Sequence, residues 1–131
     1  MAVTTIFFDF FGVIYHGGSI NDELLSYIST LKPQYKLGMI TSTREVERFV
    51  DKETLASLFD SIVASSETGL YKPDQAIFKL ACQRLGCQPE QALLVDDLAE
   101  NCAGARQAGL QAIQYTSLPA LRDELTKLTV Q

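Results

Sequence analysis

Proline, cysteine, histidine and basic residues are all scarce in this chain. Four prolines and eight glycines in 131 residues exclude collagen-like and low-complexity architectures. The three cysteines, Cys82, Cys87 and Cys102, are an odd number with no metal-type spacing. They argue against a disulfide framework or a zinc site, fit a reducing compartment, and read as packing residues. No apolar run approaches the ~18 residues of a membrane span. The N-terminus has no basic-then-apolar leader, so a cytoplasmic location is expected. Eleven basic residues face sixteen acidic ones and are scattered, so no nucleic-acid footprint is expected. The single histidine, His16, lies in a glycine-containing loop and reads as solvated.

What remains is ordinary globular material, 47% hydrophobic and 21% charged. Residues 1–131 read as one domain, long enough for an independent core. Five apolar runs stand out: Ile6–Phe8, Lys36–Thr41, Ser61–Ser65, Ala92–Asp96 and Gln111–Tyr115. None alternates with polar residues, which suits parallel strands buried on both faces.

Helical stripes separate these runs. Leu24, Leu25, Ile28 and Leu31 form one, with Asn21 as cap and Pro33 as stop. Val46, Phe49 and Val50 begin another, capped by Thr43. Ile77, Leu80, Ala81 and Leu85 precede Gly86. Leu98, Cys102 and Ala105 share a face before Gly109, and Leu118, Leu121, Leu125 and Leu128 form the last stripe. The alternation predicts an α/β fold, a three-layer doubly wound sheet of about five parallel strands.

In such a sheet, ligands bind beyond the carboxyl ends of the strands. Asp9 follows the first run, Thr41 ends the second, Lys72 lies beyond the third, and Asp96 and Asp97 end the fourth. Together they bring three carboxylates, a hydroxyl and an ammonium to one edge. Crowded carboxylates repel and raise one another's pKa unless a cation sits among them. A hard ion such as Mg²⁺ suits carboxylate oxygens. Thr41 and Lys72 then suit the anionic oxygens of a phosphate. A response-regulator receiver uses similar groups. Its acidic pair, however, follows the first strand and its lysine the fifth, so the order here argues against it.

The order resembles that of the haloacid dehalogenase superfamily of aspartate-nucleophile hydrolases. Phe7-Phe8-Asp9-Phe10-Phe11-Gly12-Val13 is similar to its first motif and Met39-Ile40-Thr41-Ser42 to its second. Gly69-Leu70-Tyr71-Lys72-Pro73-Asp74 is similar to the third. Leu94-Val95-Asp96-Asp97 with Asn101, then Ala105-Arg106 and Ala108-Gly109, is similar to the fourth. The resemblance implies Asp9 as nucleophile, with Thr41 and Lys72 completing the catalytic set. It implies Mg²⁺ held by Asp9, the backbone carbonyl of Phe11, Asp96 and Asp97. Phosphate would be contacted by Thr41, Ser42, Lys72 and the backbone around Gly12. Asn101 either orients Asp97 or bonds only its own helix. The expected substrate is a small phosphorylated molecule.

Two departures qualify this. Phe11 stands where phosphatases of the superfamily carry a second aspartate, their general acid, and the dehalogenase branch carries tyrosine. Members commonly insert a cap domain after the first motif. Here only Tyr15-His16-Gly17-Gly18-Ser19 intervenes, either a natural short loop or a join left by removing a cap. The alternatives are therefore a dehalogenase-like hydrolase and a catalytically inactive phosphate- or metal-binding domain.

Overall fold

A computed structural model describes residues 2–129 of the chain. Its strands are β1 (Thr5–Phe8), β2 (Tyr15–His16), β3 (Ser19–Ile20), β4 (Lys36–Thr41), β5 (Ser61–Ala64), β6 (Ala92–Asp96) and β7 (Gln111–Gln114). Five of them form one sheet in the order β5-β4-β1-β6-β7, every pair parallel. All four residues of β1 are buried, because helices cover both faces of this central strand. Ile6 and Phe8 join one core cluster, with Leu37, Met39, Leu93 and Val95. Phe7 points the other way and joins Ile40, Val63 and Leu94. The expected doubly wound architecture is the one found, with strand bounds within about one residue.

The helices are α1 (Asp22–Thr30), α2 (Lys52–Leu58), α3 (Ser65–Thr68), α4 (Gln75–Leu85), α5 (Ala99–Gln107) and α6 (Leu118–Thr129). Residues of α1, α2 and α6 pack into the Ile6/Phe8 cluster, and those of α4 and α5 into the Phe7 cluster. Burying each large side chain stabilises the fold by roughly 1.5–3 kcal/mol before entropy is counted. Asn21 caps α1 as expected, its side chain accepting from the Leu24 N–H at 3.1 Å. Gly86 closes α4 in the left-handed region, with Gly86 N–H bonded to the Gln83 carbonyl and Cys87 N–H to that of Cys82. This pair of hydrogen bonds sets Cys87 against Cys82, the apolar contact such helix ends favour. Cys82 and Cys102 are buried, Cys87 is half-buried, and all three are free thiols.

Three local expectations are corrected. The stripe at Val46–Val50 is a 3₁₀ turn, Arg44–Arg48, capped by Thr43. The chain then restarts as α2, because the Asp51 carboxylate accepts from the Thr54 N–H at 2.9 Å. Ser65 opens α3 instead of ending a strand. Leu98 does not share the buried face of Cys102 and Ala105. It is 47% exposed ahead of α5, because its N–H is turned in to the Asp96 carboxylate at 3.0 Å.

Between Ile14 and Asn21 the chain forms a two-stranded hairpin, β2–β3, where a cap would enter. Gly17 and Gly18 make its turn at φ 63° and 84°, a conformation that favours glycine at both positions. Asn21 N–H bonds the Ile14 carbonyl at 2.8 Å and closes the neck of the loop. No helical cap is present there. Among the described residues no helix is long and apolar enough to cross a membrane. The reading of 1–131 as one domain reaches Met1, Val130 and Gln131, which lie outside the described residues.

Candidate functional site

The chain leaves β1 for β4 and β5 on one side, then returns to β6 on the other. That reversal opens a crevice at the carboxyl ends of β1 and β6, where such sheets bind ligands. Asp9 follows β1, and its N–H bonds the Val95 carbonyl of β6 at 3.0 Å. Asp96 ends β6 and is wholly buried; Asp9 is buried and Asp97 half-buried. A carboxylate oxygen from each of the three lies within 4.8 Å of the others. Lys72 reaches in from the loop after α3. Its Nζ donates to Asp9 Oδ1 at 2.8 Å, Asp96 Oδ2 at 2.9 Å and the Ile40 carbonyl at 3.1 Å. The expected convergence of Asp9, Lys72, Asp96 and Asp97 is therefore present.

The electrostatics are unbalanced. Burial pushes the Asp9 carboxyl up to about 7, and the Asp96 and Asp97 charges add to the rise against the pull of Lys72. Burial works against the Lys72 ammonium, but Asp9 and Asp96 more than offset it and hold it above its ordinary range. One ammonium offsets one of three carboxylate charges, and the remainder matches a divalent cation. The donor set, all carboxylate oxygen, suits Mg²⁺.

Several neighbours fix this geometry. Asn101, buried on α5, donates to both Asp96 oxygens at 3.2 and 3.3 Å. It orients Asp96, neither Asp97 nor its own helix. The turn after Asp9 is held by the Phe10 carbonyl, which accepts from Val13, Ile14 and Tyr15. That leaves the Phe11 carbonyl outside the turn's bonding. Gly12, at φ 93°, faces Asp97: a Cβ there would lie 2.5 Å from Asp97 Cγ and 2.6 Å from Oδ1. Gly12→Ala is expected to destabilise the protein by about 1–3 kcal/mol, from overlap and a strained φ. A lower urea midpoint with unchanged slope checks this.

Thr41 ends β4 fully buried. Its Oγ1 is the one buried side-chain polar atom among the described residues without a hydrogen-bond partner. An orphaned buried hydroxyl costs roughly 1–3 kcal/mol, which a ligand oxygen would recover. Thr43, not Thr41, caps the turn that follows. Ser42 is exposed beside it, its carbonyl accepting from Ser66 N–H. His16 is exposed in the hairpin, as expected of a solvated residue.

Phe11 is half-buried in an aromatic group, edge-on to Phe10 at 4.9 Å and to Tyr15 and Phe49 at 6.0 Å. Phe49 was not legible as a neighbour of the site. Nor was Gly104, where a Cβ would lie 2.7 Å from Pro73 Cβ and overlap its carbonyl. A glycine there lets α5 pack directly on the Lys72–Pro73 loop and keeps Lys72 beside Asp96. The run of small residues Ala103-Gly104-Ala105 was its only signal.

Residues 19–115 match the family of haloacid dehalogenase-like hydrolases. The chain is 35% identical over 98 residues to a glyceraldehyde 3-phosphate phosphatase of Methanothermobacter thermautotrophicus, covering 71% of this chain and 43% of that protein. It is 31% identical over 105 residues to a pyrophosphatase of Bacillus velezensis, covering 69% and 49%. The chain thus spans about half, or less, of the length of these relatives. The solved structure of a predicted HAD-like family hydrolase from Porphyromonas gingivalis superposes with TM-score 0.81 at 21% identity, over 95% of this chain and 98% of that one. An aspartate-to-alanine mutant of a HAD family enzyme from Bacteroides thetaiotaomicron, in complex with magnesium and inorganic phosphate, gives TM-score 0.77 at 13% identity, over 89% and 96%. At such identities these two structures speak for the fold alone.

Proposed function

We propose, from the premise that the chain belongs to the haloacid dehalogenase-like hydrolase family, that it is a Mg²⁺-dependent phosphatase core with Asp9 as nucleophile. The observation that carries this reading is the cluster of Asp9, Asp96 and Asp97, with Lys72 as its one ion-pair partner among the described residues. The phosphatase and pyrophosphatase names of the relatives support a small phosphorylated substrate.

An Asp9 carboxylate oxygen attacks phosphorus, and the bond to the leaving oxygen breaks. Water then attacks the aspartyl phosphate and releases phosphate. Lys72 and the unpartnered Thr41 hydroxyl hold the equatorial oxygens, with Ser42 and the backbone at Gly12 beside them. Asn101 keeps the Asp96 carboxylate in place. Asp9, Asp96, Asp97 and the Phe11 carbonyl would hold Mg²⁺, which when bound screens the nucleophile from the phosphate charge and stabilises charge in the transition state. Phe11 offers no proton to the leaving group. A carbon–halogen substrate is the second reading, and the aromatic residue at position 11 is the observation that favours it.

Hydrolysis of 4-nitrophenyl phosphate and acetyl phosphate with Mg²⁺, and its loss in a chelator, tests the reading; turnover indifferent to chelation contradicts it. Calorimetry of Asp97→Asn gives a second check. Mg²⁺ affinity is expected to fall at least ~10-fold, because a charged ligand becomes neutral. In the wild type, saturating Mg²⁺ should raise the Tm by mass action.

A further inference from the structure

Among the described residues three large hydrophobic side chains are exposed: Phe49 at 42%, Tyr71 at 58% and Leu98 at 47%. Exposed apolar residues scattered singly are ordinary on protein surfaces. These three share a topological position. They lie on three separate segments that follow the carboxyl ends of β4, β5 and β6. Each is tied to the acidic site. Tyr71 immediately precedes Lys72, whose ammonium lies on Asp9 and Asp96. Leu98 donates its N–H to Asp96. Phe49 packs edge-on against Phe11, two residues beyond Asp9, and its ring is 4.6 Å from that of Tyr15. Phe49, with Phe11 and Tyr15, therefore forms an aromatic rim beside the site, and Tyr71 and Leu98 are exposed on the segments that carry Lys72 and bond Asp96.

We infer that this rim, centred on Phe49 and Phe11, binds the leaving group, and that the preferred substrates are phosphate monoesters of aromatic alcohols. This deepens the phosphatase reading and rests on it. Two independent features meet in that substrate class. Phe11 cannot protonate a departing oxygen, so the leaving group must depart as an anion. A phenolic oxygen, with a conjugate acid near pKa ~10 as in tyrosine, does so far more readily than an alkyl alcohol. The rim in turn supplies ring faces and edges for an aromatic body. Acyl phosphates and pyrophosphate also leave easily, but they carry nothing that would use the rim. The step balances without a further reagent. The bond from Asp9 to phosphorus forms as the aryl oxygen–phosphorus bond breaks, and the phenolate takes its proton from water. A second water cleaves the aspartyl phosphate. The sum is ester plus water to phenol plus phosphate.

Phenylphosphonate and methylphosphonate, neither hydrolysable, separate the rim from the chemistry. Titrated calorimetrically into the Mg²⁺-loaded protein, phenylphosphonate is expected to bind roughly tenfold tighter, the scale of one or two aromatic contacts. Phe49→Ser should bring the ratio of the two constants close to one. Tyr71→Ser, at the most exposed of the three positions, should reduce it and guards against a folding defect in the first variant. Equal affinities in the wild type, or a ratio that survives both substitutions, would overturn the rim assignment. If acetyl phosphate is still hydrolysed in that case, the phosphatase reading stands. If neither phosphonate binds and neither acetyl nor aryl phosphate is cleaved, both fall. A dimer in sedimentation that Phe49→Ser dissociates would reassign the rim to self-association and overturn the proposal.

Discussion

Asp9→Asn is expected to lower phosphate-ester turnover at least ~10⁴-fold and to leave the fold intact. The loss follows from the chemistry, since an amide oxygen is a poor nucleophile and the covalent step has no second candidate. Preservation of the fold follows from the surroundings. The asparagine oxygen can still accept from the Phe10 N–H and from Lys72, which bond Asp9 Oδ1 at 2.9 and 2.8 Å. The substitution also removes a buried negative charge from beside two others. Burial and that crowding hold the Asp9 carboxyl near 7, so its ionisation at neutral pH costs the metal-free fold stability. The metal-free variant should therefore melt at or above the wild-type temperature. A comparable loss of activity accompanied by unfolding would not support a nucleophile. Turnover within about tenfold of wild type would contradict one directly.

Phe11→Asp is expected to raise turnover of alkyl phosphates, by up to ~10²-fold, while changing aryl phosphates much less. General acid–base help contributes ~10²–10⁴-fold where the leaving group is basic and little where it is not. The gain comes with a loss of stability. Phe11 has ring contacts with Phe10, Tyr15 and Phe49, each contributing about 0.5–1.5 kcal/mol. A fourth carboxylate also joins a crowded acidic site. The variant should melt below wild type without Mg²⁺ and recover in part with it. A variant that folds, binds Mg²⁺ and still shows no gain on a panel of alkyl phosphates would contradict the general-acid account of position 11 and move the halogen and non-catalytic readings forward.

The acidic residues and the lysine could be located from sequence for a physical reason. In a parallel sheet every strand delivers its last residue to the same edge. Once the runs ending at Phe8, Thr41 and Asp96 are recognised, their neighbours must meet. The register bears this out, with Phe8 paired to both Met39 and Val95. What escaped the sequence depends on contacts without a local signature. Asn101 was expected to orient Asp97 or to bond only its own helix, and the fold instead sets its amide on both oxygens of Asp96. The Gly104 contact with Pro73 and the Phe49 contact with Phe11 join segments more than thirty residues apart. The hairpin strands are two residues each, too short for a periodic pattern. Leu98 was misplaced because a side-chain bond from Asp96 redirects the chain before α5 begins.

During turnover Asp9 is expected to carry the phosphoryl group. The protein is mixed with an aryl phosphate and Mg²⁺, quenched in acid during turnover, digested and mapped by mass spectrometry. The expected result is a phosphoryl group on the peptide containing Asp9, removed by hydroxylamine as an acyl phosphate should be, and missing from Asp9→Asn. Turnover with no such adduct under rapid quench, or an adduct on any other residue, would contradict the assignment.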